Sequence, residues 1–237
     1  MPQSSRIAGM RAVLFDWGGT LSVNRAVDVL ATWRAAAAVL EPDDPAALAA
    51  ALLAAEVRWW DDCTRTGDAS GTTELLLRGV VPQAGDGDIG RALAAYHDAW
   101  EDTVEHDDAA TEVLSGLRAR GLRTGLLSNT HWPSALHDRW LAEAGLLQLL
   151  DARIYTSDLQ HLKPHPEAFR ALLNVLGVRP EDAVFVGDRL RDDIWGAQQV
   201  GMRTILLTGR PTPSYDVIPD AQVPELSDVL AVIDGWR

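Results

Sequence analysis

Polar groups that could bind a ligand stand directly after three short apolar runs of this sequence. They are Asp16, the pair Ser128-Asn129 and the pair Gly187-Asp188. Apolar runs of this length are typical of buried parallel strands. Parallel strands end along one edge of a sheet, and open α/β sheets bind their ligands there, so we expect these groups to converge. The glycines at 18 and 19 would let the backbone turn sharply and approach a ligand closely.

A single lysine, Lys163, stands among the 21 lysine and arginine residues of the chain. It follows a predicted strand and precedes a predicted helix, which places it at the same edge of the sheet. An ammonium is a compact point charge, whereas a guanidinium is a planar fork of a different shape. The use of lysine at this one position therefore indicates a functional cation.

Strands and helices alternate from residue 107 onward. Strands are predicted at 122–127, 152–155, 183–186 and 203–207, and helices at 110–120, 166–176 and 224–233, with two more opening near Pro133 and Asp192. A proline-rich loop is predicted after residue 207. This alternation predicts an α/β fold with a doubly wound parallel sheet and right-handed crossovers.

The chain between residues 22 and 105 carries no strand signal. Helices are predicted at 26–40, 46–60, 73–80 and 88–100, with a polar loop at 61–72. We therefore predict an α/β core domain of residues 1–22 and 105–237 and an inserted, all-helical cap domain of residues 23–104. Linkers near 22–25 and 103–107 would join the two domains and act as hinges.

Acidic residues outnumber basic ones, 34 against 21, for a formal net charge of −13 over 237 residues. This balance argues against nucleic acid as a partner, and an anionic substrate would need local positive charge such as a metal ion. One cysteine excludes an internal disulfide. Residues 1–10 lack the apolar segment of a signal peptide, and the apolar tract at 46–55 is too short to span a bilayer. We expect a cytoplasmic monomer or homodimer with no membrane partner.

Four ordered stretches resemble the motifs of the haloacid dehalogenase-like hydrolase superfamily. They are DWGGTL at 16–21, LLSNT at 126–130, KPHPEAF at 163–169 and VGDRLRDDIWGA at 186–197. The resemblance covers nearly the whole predicted core, and the helical insertion matches the commonest cap position of that family. It implies a Rossmann-like core, a hydrolase activity and a small phosphorylated molecule as substrate.

The resemblance also implies roles for the acidic residues. Asp16 would be the nucleophile that forms an aspartyl-phosphate. Mg²⁺ would be held by Asp16, the backbone carbonyl of Gly18 and Asp188, with few protein ligands, as magnesium prefers. Asp193, beside Asp192, would belong to the same metal site and orient the water shell of the ion.

Three further residues take catalytic roles by the same resemblance. Ser128 would donate a hydrogen bond to the transferring phosphoryl group, and Asn129 would help to position it. Lys163 would neutralise charge on the nucleophile and on the phosphoryl oxygens.

One position departs from the family pattern. The phosphatases of the family carry a second Asp two residues after the nucleophile, as general acid and base, and this chain has Gly18 there. General acid–base catalysis typically contributes about 10²–10⁴-fold. Three alternatives follow: a phosphatase that manages without this acid, a 2-haloacid dehalogenase, or a non-catalytic module that binds phosphometabolites.

The sequence itself weakens the dehalogenase alternative and excludes one further subtype of the family. Dehalogenases of the family lack the metal-binding Gly-Asp pattern, which this chain keeps at Gly187-Asp188. A phosphonoacetaldehyde hydrolase needs a lysine in the cap, and residues 23–104 contain none. A phosphatase remains the leading hypothesis.

Candidate substrate contacts are Trp17, Thr130 and His131. Trp17 would wall the substrate, and His131 would reach it and supply the proton that Gly18 cannot. The alternative for Trp17 is a structural aromatic, and the alternative for His131 is a polar residue at a helix start, beside Pro133. Four residues of the second predicted helix could also face the site: Arg58, Trp59, Trp60 and Arg65.

Overall fold

A six-stranded sheet, in which every strand runs parallel to its neighbours, forms the centre of the protein. The computed structural model describes residues 9–23, 25–41, 43–68, 71–101, 103–210 and 212–237. The strands are β1 (Ala12–Phe15), β2 (Arg123–Ser128), β3 (Ala152–Tyr155), β4 (Ala183–Gly187), β5 (Arg203–Leu207) and β6 (Ala221–Val223). Their spatial order is β3-β2-β1-β4-β5-β6, so the strand order reverses between β1 and β4. The predicted α/β fold with a doubly wound sheet is confirmed.

Four helices of the described chain lie between residues 23 and 105, where the insertion is predicted. They are α1 (Val29–Leu40), α2 (Pro45–Thr66), α3 (Thr73–Val80) and α4 (Asp86–Glu101). These helices bury a hydrophobic cluster of their own, separate from the clusters on the sheet. At its centre the rings of Trp33 and Tyr96 lie 4.1 Å apart, and both side chains are fully buried. The inserted helices therefore have the internal packing that a separate unit needs.

Helices cover both faces of the sheet. They are α5 (Ala110–Ala119), α6 (Ser134–Glu143), α7 (Pro166–Leu176), α8 (Gly196–Gln199) and α9 (Val229–Trp236). Side chains of β1 alternate between the faces: Val13 and Phe15 pack with residues of α5, α6 and α9, whereas Ala12 and Leu14 pack with residues of α7 and α8. Burial on both faces explains why β1 is a continuous apolar run.

The two segments that connect the inserted helices to the core pair with each other. Val23 donates its backbone N–H to the carbonyl of Glu105 at 2.8 Å, and Asp107 donates to the carbonyl of Leu21 at 3.0 Å. Ser22 and His106 form an antiparallel bridge between these contacts. Asn24, within the first predicted linker, lies outside the described residues.

The predicted loop at 61–72 is wrong over its first half, because α2 continues to Thr66. The extra turns are held by packing that the polar sequence does not reveal: Cys63 is buried against Leu162 of the core. The helix ends at Gly67, whose φ of 79° is left-handed and whose N–H bonds to the carbonyl of Cys63. Residues 69–70 of that predicted loop lie outside the described residues.

The C-terminal region also differs from the prediction. β6 lies between the predicted proline-rich loop, which ends at Pro219, and the predicted last helix. No strand is predicted there, because the three residues, Ala-Gln-Val, carry no apolar run; pairing with β5 makes them a strand. The last helix was predicted from residue 224 but begins at Val229, after a short 3₁₀ turn at Leu226–Asp228.

No helix in the described part of the chain is both long enough and apolar enough to cross a membrane. Residues 1–8, on which most of the signal-peptide prediction depends, lie outside the described residues.

Candidate active site

Asp16 and Lys163 form a buried ion pair at the carboxyl edge of the sheet. The ammonium of Lys163 donates to Asp16 Oδ1 at 2.5 Å and to Asp193 Oδ1 at 2.8 Å. Lys163 is 1% exposed, Asp16 6% and Asp193 fully buried. Asp16 and Lys163 are 147 residues apart in the sequence, and the parallel sheet brings them together, as predicted.

Asp16 is placed by β1, which it follows directly. Its backbone N–H donates to the carbonyl of Val186 on β4 at 3.0 Å, so the residue continues the strand pairing by one position. The chain then turns, and Ser22 donates its N–H back to the carbonyl of Trp17 at 2.8 Å. Gly19 has a φ of 79°, a left-handed value that favours glycine.

Lys163 is held by Asn129 through its backbone. The side-chain amide of Asn129 donates to the carbonyl of Lys163 at 2.9 Å, and its oxygen accepts the N–H of Lys163 at 2.8 Å. Two bonds of opposite direction fix the position of this peptide relative to the end of β2. Asn129 thus lies where the sequence predicts it, with its amide bound to the protein itself.

Three buried carboxylates meet beside Lys163. Side-chain oxygens of Asp16, Asp188 and Asp193 all lie within 4.8 Å of one another. The side chain of Asp193 is held in place by a backbone group, because its Oδ2 accepts a hydrogen bond from the N–H of Arg189 at 2.9 Å. Gly187 makes this approach possible, since a Cβ there would come within 2.4 Å of the Asp193 side chain. A π-helical turn at Leu190–Trp195 carries Asp193 into this position.

Burial and mutual repulsion shift the pKa values of these carboxyl groups. Burial raises the pKa of Asp16 to about 6, even though the charge of Lys163 opposes the rise. Burial, with the charges of Asp16 and Asp193, raises the pKa of Asp188 to about 7. Burial alone would lower the pKa of Lys163, but the charges of Asp16 and Asp193 together raise it above its usual value.

The cluster fits a magnesium ion on the chemistry of its donors. Mg²⁺ is a hard cation that takes oxygen ligands, and it prefers one or two carboxylates with waters and phosphate oxygens. Three carboxylates with one lysine leave an excess of negative charge, which a divalent cation would offset. Asp16, Asp188 and Asp193 are the residues that would hold it, and the carbonyl of Gly18 remains a predicted fourth ligand.

A cavity of about 430 Å³ opens in front of Asp16. Its core side includes Gly18, Ser128, Asn129 and Lys163, and its other side includes Glu56 and Trp60 of α2 and Trp100 of α4. The inserted helices therefore lie over the carboxyl edge of the sheet. Ser128, the last residue of β2, is buried at the cavity wall, and Gly18 presents no side chain to the cavity.

All three predicted substrate contacts line the cavity: Trp17, Thr130 and His131. The hydroxyl of Thr130 is engaged inside the protein, because it accepts the N–H of Trp132 at 3.0 Å and lies 3.0 Å from His137 Nε2. Trp17 stacks on Trp140, with 6.0 Å between ring centroids, so it both packs the core and forms a wall.

His131 is buried between core and cap. Its Nε2 lies 3.3 Å from Glu56 Oε1 and 3.5 Å from the hydroxyl of Tyr96. Burial lowers the pKa of His131 to about 3, so the imidazole is neutral near pH 7. A neutral imidazole has one N–H to donate, and here its Nε2 lies against the Glu56 carboxylate.

The four predicted contacts from α2 divide into two groups. Trp60 lines the cavity, and the ring of Trp59 lies 5.5 Å from that of His131. Arg58 is exposed, and Arg65 pairs with Asp62 in solvent. Neither arginine lines the cavity in the part of the chain that the structure describes.

Sequence reasoning missed two charged residues of the cavity, Glu56 and Arg189. The charges of Asp16, Asp188 and Asp192, opposed by burial, raise the pKa of Arg189. The sequence feature that could have identified Arg189 as a cavity residue is its position directly after Asp188. The signal for Glu56 was its helical spacing from the buried residues Leu52 and Cys63 of α2.

Curated relatives with phosphatase names match much of the chain. A pyrophosphatase PpaX of Bacillus cereus is 30% identical over 146 residues, which cover 60% of this chain and 65% of that protein. A glyceraldehyde 3-phosphate phosphatase of Pyrococcus furiosus is 29% identical over 172 residues, 68% of each chain. The match thus spans about two thirds of the length of these relatives.

Solved structures share the fold over nearly the whole chain. A phosphatase of the same superfamily from Thermococcus onnurineus superposes with a TM-score of 0.69 at 22% identity, covering 96% of this chain and all of the other. A 2-haloacid dehalogenase from Pseudomonas syringae superposes with a TM-score of 0.66 at 23% identity, with the same coverage. At these identities the likeness shows the fold.

The family follows from the whole of this evidence. The model of one hydrolase family matches residues 10–201, a span that includes all four motifs and every residue of the carboxylate cluster. Both curated relatives named above carry phosphatase names. The chain belongs to the haloacid dehalogenase-like hydrolases.

Proposed function

We propose that this protein is a Mg²⁺-dependent phosphatase that acts on small phosphorylated metabolites through an aspartyl-phosphate. The observation that carries the proposal is the placement of Asp16. Its carboxylate contacts Lys163, lies within 4.8 Å of two further carboxylates and lines a cavity of about 430 Å³. The proposed nucleophile, a cation and a carboxylate cluster that could hold a metal thus meet at one face of a cavity sized for a small substrate.

In the proposed reaction one carboxylate oxygen of Asp16 attacks phosphorus. A bond forms between that oxygen and phosphorus while the bond to the leaving oxygen breaks, and the leaving group takes the electron pair. Water then attacks the phosphorus of the aspartyl-phosphate, releases inorganic phosphate and restores the carboxylate. Magnesium, when bound, would supply charge that offsets repulsion between the carboxylate and the phosphate.

Lys163 and Ser128 would steady the transferring group. The ammonium contacts Asp16 and Asp193, so a phosphoryl oxygen near Asp16 would lie within reach of the same charge. Ser128 lines the cavity at the end of β2 and has a hydroxyl to donate. Both groups act by positioning and by electrostatics, which are the main sources of catalysis in phosphoryl transfer.

Gly18 limits which leaving groups depart easily. Without a carboxylic acid at that position, a leaving group that is stable as an anion has the advantage. Phosphoanhydrides, acyl phosphates and aryl phosphates are of this kind, whereas alkoxides are not. One relative is named a pyrophosphatase, and pyrophosphate is a phosphoanhydride, which agrees with the proposal.

A phosphate-release assay tests the function. Acetyl phosphate and p-nitrophenyl phosphate are incubated with the protein in the presence of Mg²⁺ or of EDTA, beside a panel of 2-haloacids assayed for halide. Phosphate release that requires Mg²⁺ and is lost in Asp16→Asn is the expected result. Halide release without metal would instead identify a dehalogenase. Saturable phosphate binding without turnover would identify a binding module.

A further inference from the structure

A buried carboxylate, Glu56, stands on the cap side of the cavity. It lies on α2, is 7% exposed and lines the cavity that contains Asp16. The indole N–H of Trp33 donates to its Oε2 at 2.6 Å, and His131 Nε2 lies 3.3 Å from its Oε1. Nothing in the proposed phosphoryl transfer uses this residue.

The carboxyl group of Glu56 has no permanent cationic partner in the described part of the chain. Its one ion-pair neighbour is His131, and burial keeps that imidazole neutral by lowering its pKa to about 3. Burial raises the pKa of Glu56, while hydrogen bonds from Trp33 and Trp60 lower it again. A carboxylate can accept about four hydrogen bonds, so the neutral N–H groups that already contact Glu56 leave it able to accept another from a ligand. A buried charge of this kind is costly until it is paired.

Indole rings surround the same space. Trp17, Trp60, Trp100 and Trp132 all line the cavity. Indoles attract cations more strongly than the other aromatic side chains, and quaternary ammonium groups are recognised by aromatic residues grouped in this way. A carboxylate among indoles is therefore suited to bind an ammonium group.

The other side of the cavity is where the proposed function binds phosphate, with Mg²⁺ offsetting the charge of the carboxylates. Lys163 and Arg189 line it beside Asp16, where a phosphate would bind. We propose that the cavity selects substrates that carry both a phosphate and an ammonium group, with the ammonium bound by Glu56 and the tryptophans. This inference rests on the proposed phosphatase function and names its substrate class.

A matched pair of phosphate esters isolates the ammonium group. Phosphocholine and 3,3-dimethylbutyl phosphate have the same shape, and the second replaces the charged nitrogen by carbon. Each is tested as a competitive inhibitor of p-nitrophenyl phosphate hydrolysis with Mg²⁺ present, so slow turnover of alkyl esters does not matter. We expect phosphocholine to bind about tenfold more tightly. Equal inhibition constants would overturn the inference.

Variants locate the selectivity. Glu56→Gln keeps the shape of the side chain and removes its charge, and we expect the ratio of the two inhibition constants to fall to about twofold or less. Trp60→Leu removes one indole and should lower the same ratio. This variant provides the test if Glu56→Gln folds poorly. Glu41→Gln removes an equal charge from an exposed site at the end of α1 and should leave the ratio at its wild-type value. A wild-type ratio in both Glu56→Gln and Trp60→Leu would contradict the inference.

Failure of the inference and failure of the phosphatase proposal are distinguishable. If neither acetyl phosphate nor p-nitrophenyl phosphate is hydrolysed, the phosphatase proposal fails, and the same pair is compared by calorimetric binding to the Mg²⁺-loaded protein. Tighter binding of phosphocholine would still support ammonium recognition. Equal or absent binding of both esters would overturn it.

Discussion

The side-chain amide of Asn129 and the backbone of Lys163 exchange two hydrogen bonds, of 2.9 and 2.8 Å. The residue after β2 thereby fixes the peptide that carries the only lysine of the chain. The ammonium of that lysine then reaches Asp16 and Asp193. We infer that Asn129 is a positioning residue that acts on the reaction through Lys163.

Asn129→Ala removes both bonds, and we expect kcat to fall about 10–100-fold with a smaller change in KM, because the misplaced ammonium stabilises the transition state less. Steady-state kinetics with p-nitrophenyl phosphate measure both constants. Asn129→Asp keeps the acceptor for the N–H of Lys163 and should retain more activity than the alanine variant. Unchanged kcat in Asn129→Ala would rule out this positioning role.

Asp16→Asn removes the nucleophile and one predicted metal ligand while keeping the size of the side chain. Turnover should fall by at least about 10³-fold, because no covalent intermediate can form. Circular dichroism and thermal melting should show an intact fold, since the variant relieves a crowded cluster of carboxylates. Wild-type turnover in Asp16→Asn would exclude the aspartyl-phosphate.

Gly18→Asp tests the missing acid. In the wild type we expect kcat/KM to fall steeply as the pKa of the leaving group rises, with very slow hydrolysis of alkyl phosphates. The variant should raise alkyl phosphate turnover by up to about 10²-fold if the new carboxyl is well placed. A series of phosphate esters with graded leaving-group pKa values gives the slope. A flat wild-type slope would mean that His131 or another group already donates the proton.

Gly187→Ala tests the close approach of Asp193 to β4. The added Cβ would lie within 2.4 Å of the Asp193 side chain, so that carboxylate must move away from Lys163 and Asp188. We expect weaker Mg²⁺ activation, measured as a higher metal concentration at half-maximal rate. Gly90→Ala, at an exposed position of α4 where an added Cβ meets nothing within 4 Å, is the matched control and should activate normally.

His137 makes stability depend on pH. Burial lowers its pKa to about 3, whereas an unfolded histidine titrates near 6.5. The fold favours the neutral ring. The contribution of His137 to the free energy of unfolding is therefore fully present above pH 6.5 and is lost as pH falls from 6.5 toward 3. By pH 5 the loss is about 2 kcal/mol. Urea unfolding of wild type and His137→Gln at pH 7 and pH 5 should show a smaller drop in the variant; equal drops would contradict this.

The sequence predicted the sheet well because its central strands are buried on both faces. β1, β3 and β5 have the predicted bounds; β1 is apolar throughout, whereas β3 and β5 each include an arginine. β6 escaped prediction because only its pairing with β5 makes its three residues a strand. The last turns of α2 escaped for the same reason, since they depend on contacts between Cys63 and the core.

The core half of the candidate site was also predictable, and the cap half was not. Asp16, Asp188 and Lys163 follow strands or stand in a motif, so their positions could be inferred from topology. Glu56 lies inside an alanine-rich helix, and its meeting with His131 depends on how the inserted helices sit on the sheet. No local pattern encodes that placement.

The paired connecting segments have a consequence for how substrates could enter. The chain leaves the core at Ser22 and returns at His106, and these two residues are bridged to each other. The chain therefore joins the inserted helices to the core through one two-stranded ribbon, whose strands bend together. Contacts elsewhere, such as the backbone bonds of Gly67 with Leu162 and of Thr73 with His131, would have to break when the cavity opens. We expect the cavity to open by rotation of the inserted helices about this ribbon as a single hinge. This rotation would move Glu56 and the indoles of α2 and α4 away from Asp16 as one rigid body. Trapping the ribbon by a disulfide between its strands would leave that rotation intact, whereas a tether across the mouth of the cavity would stop it.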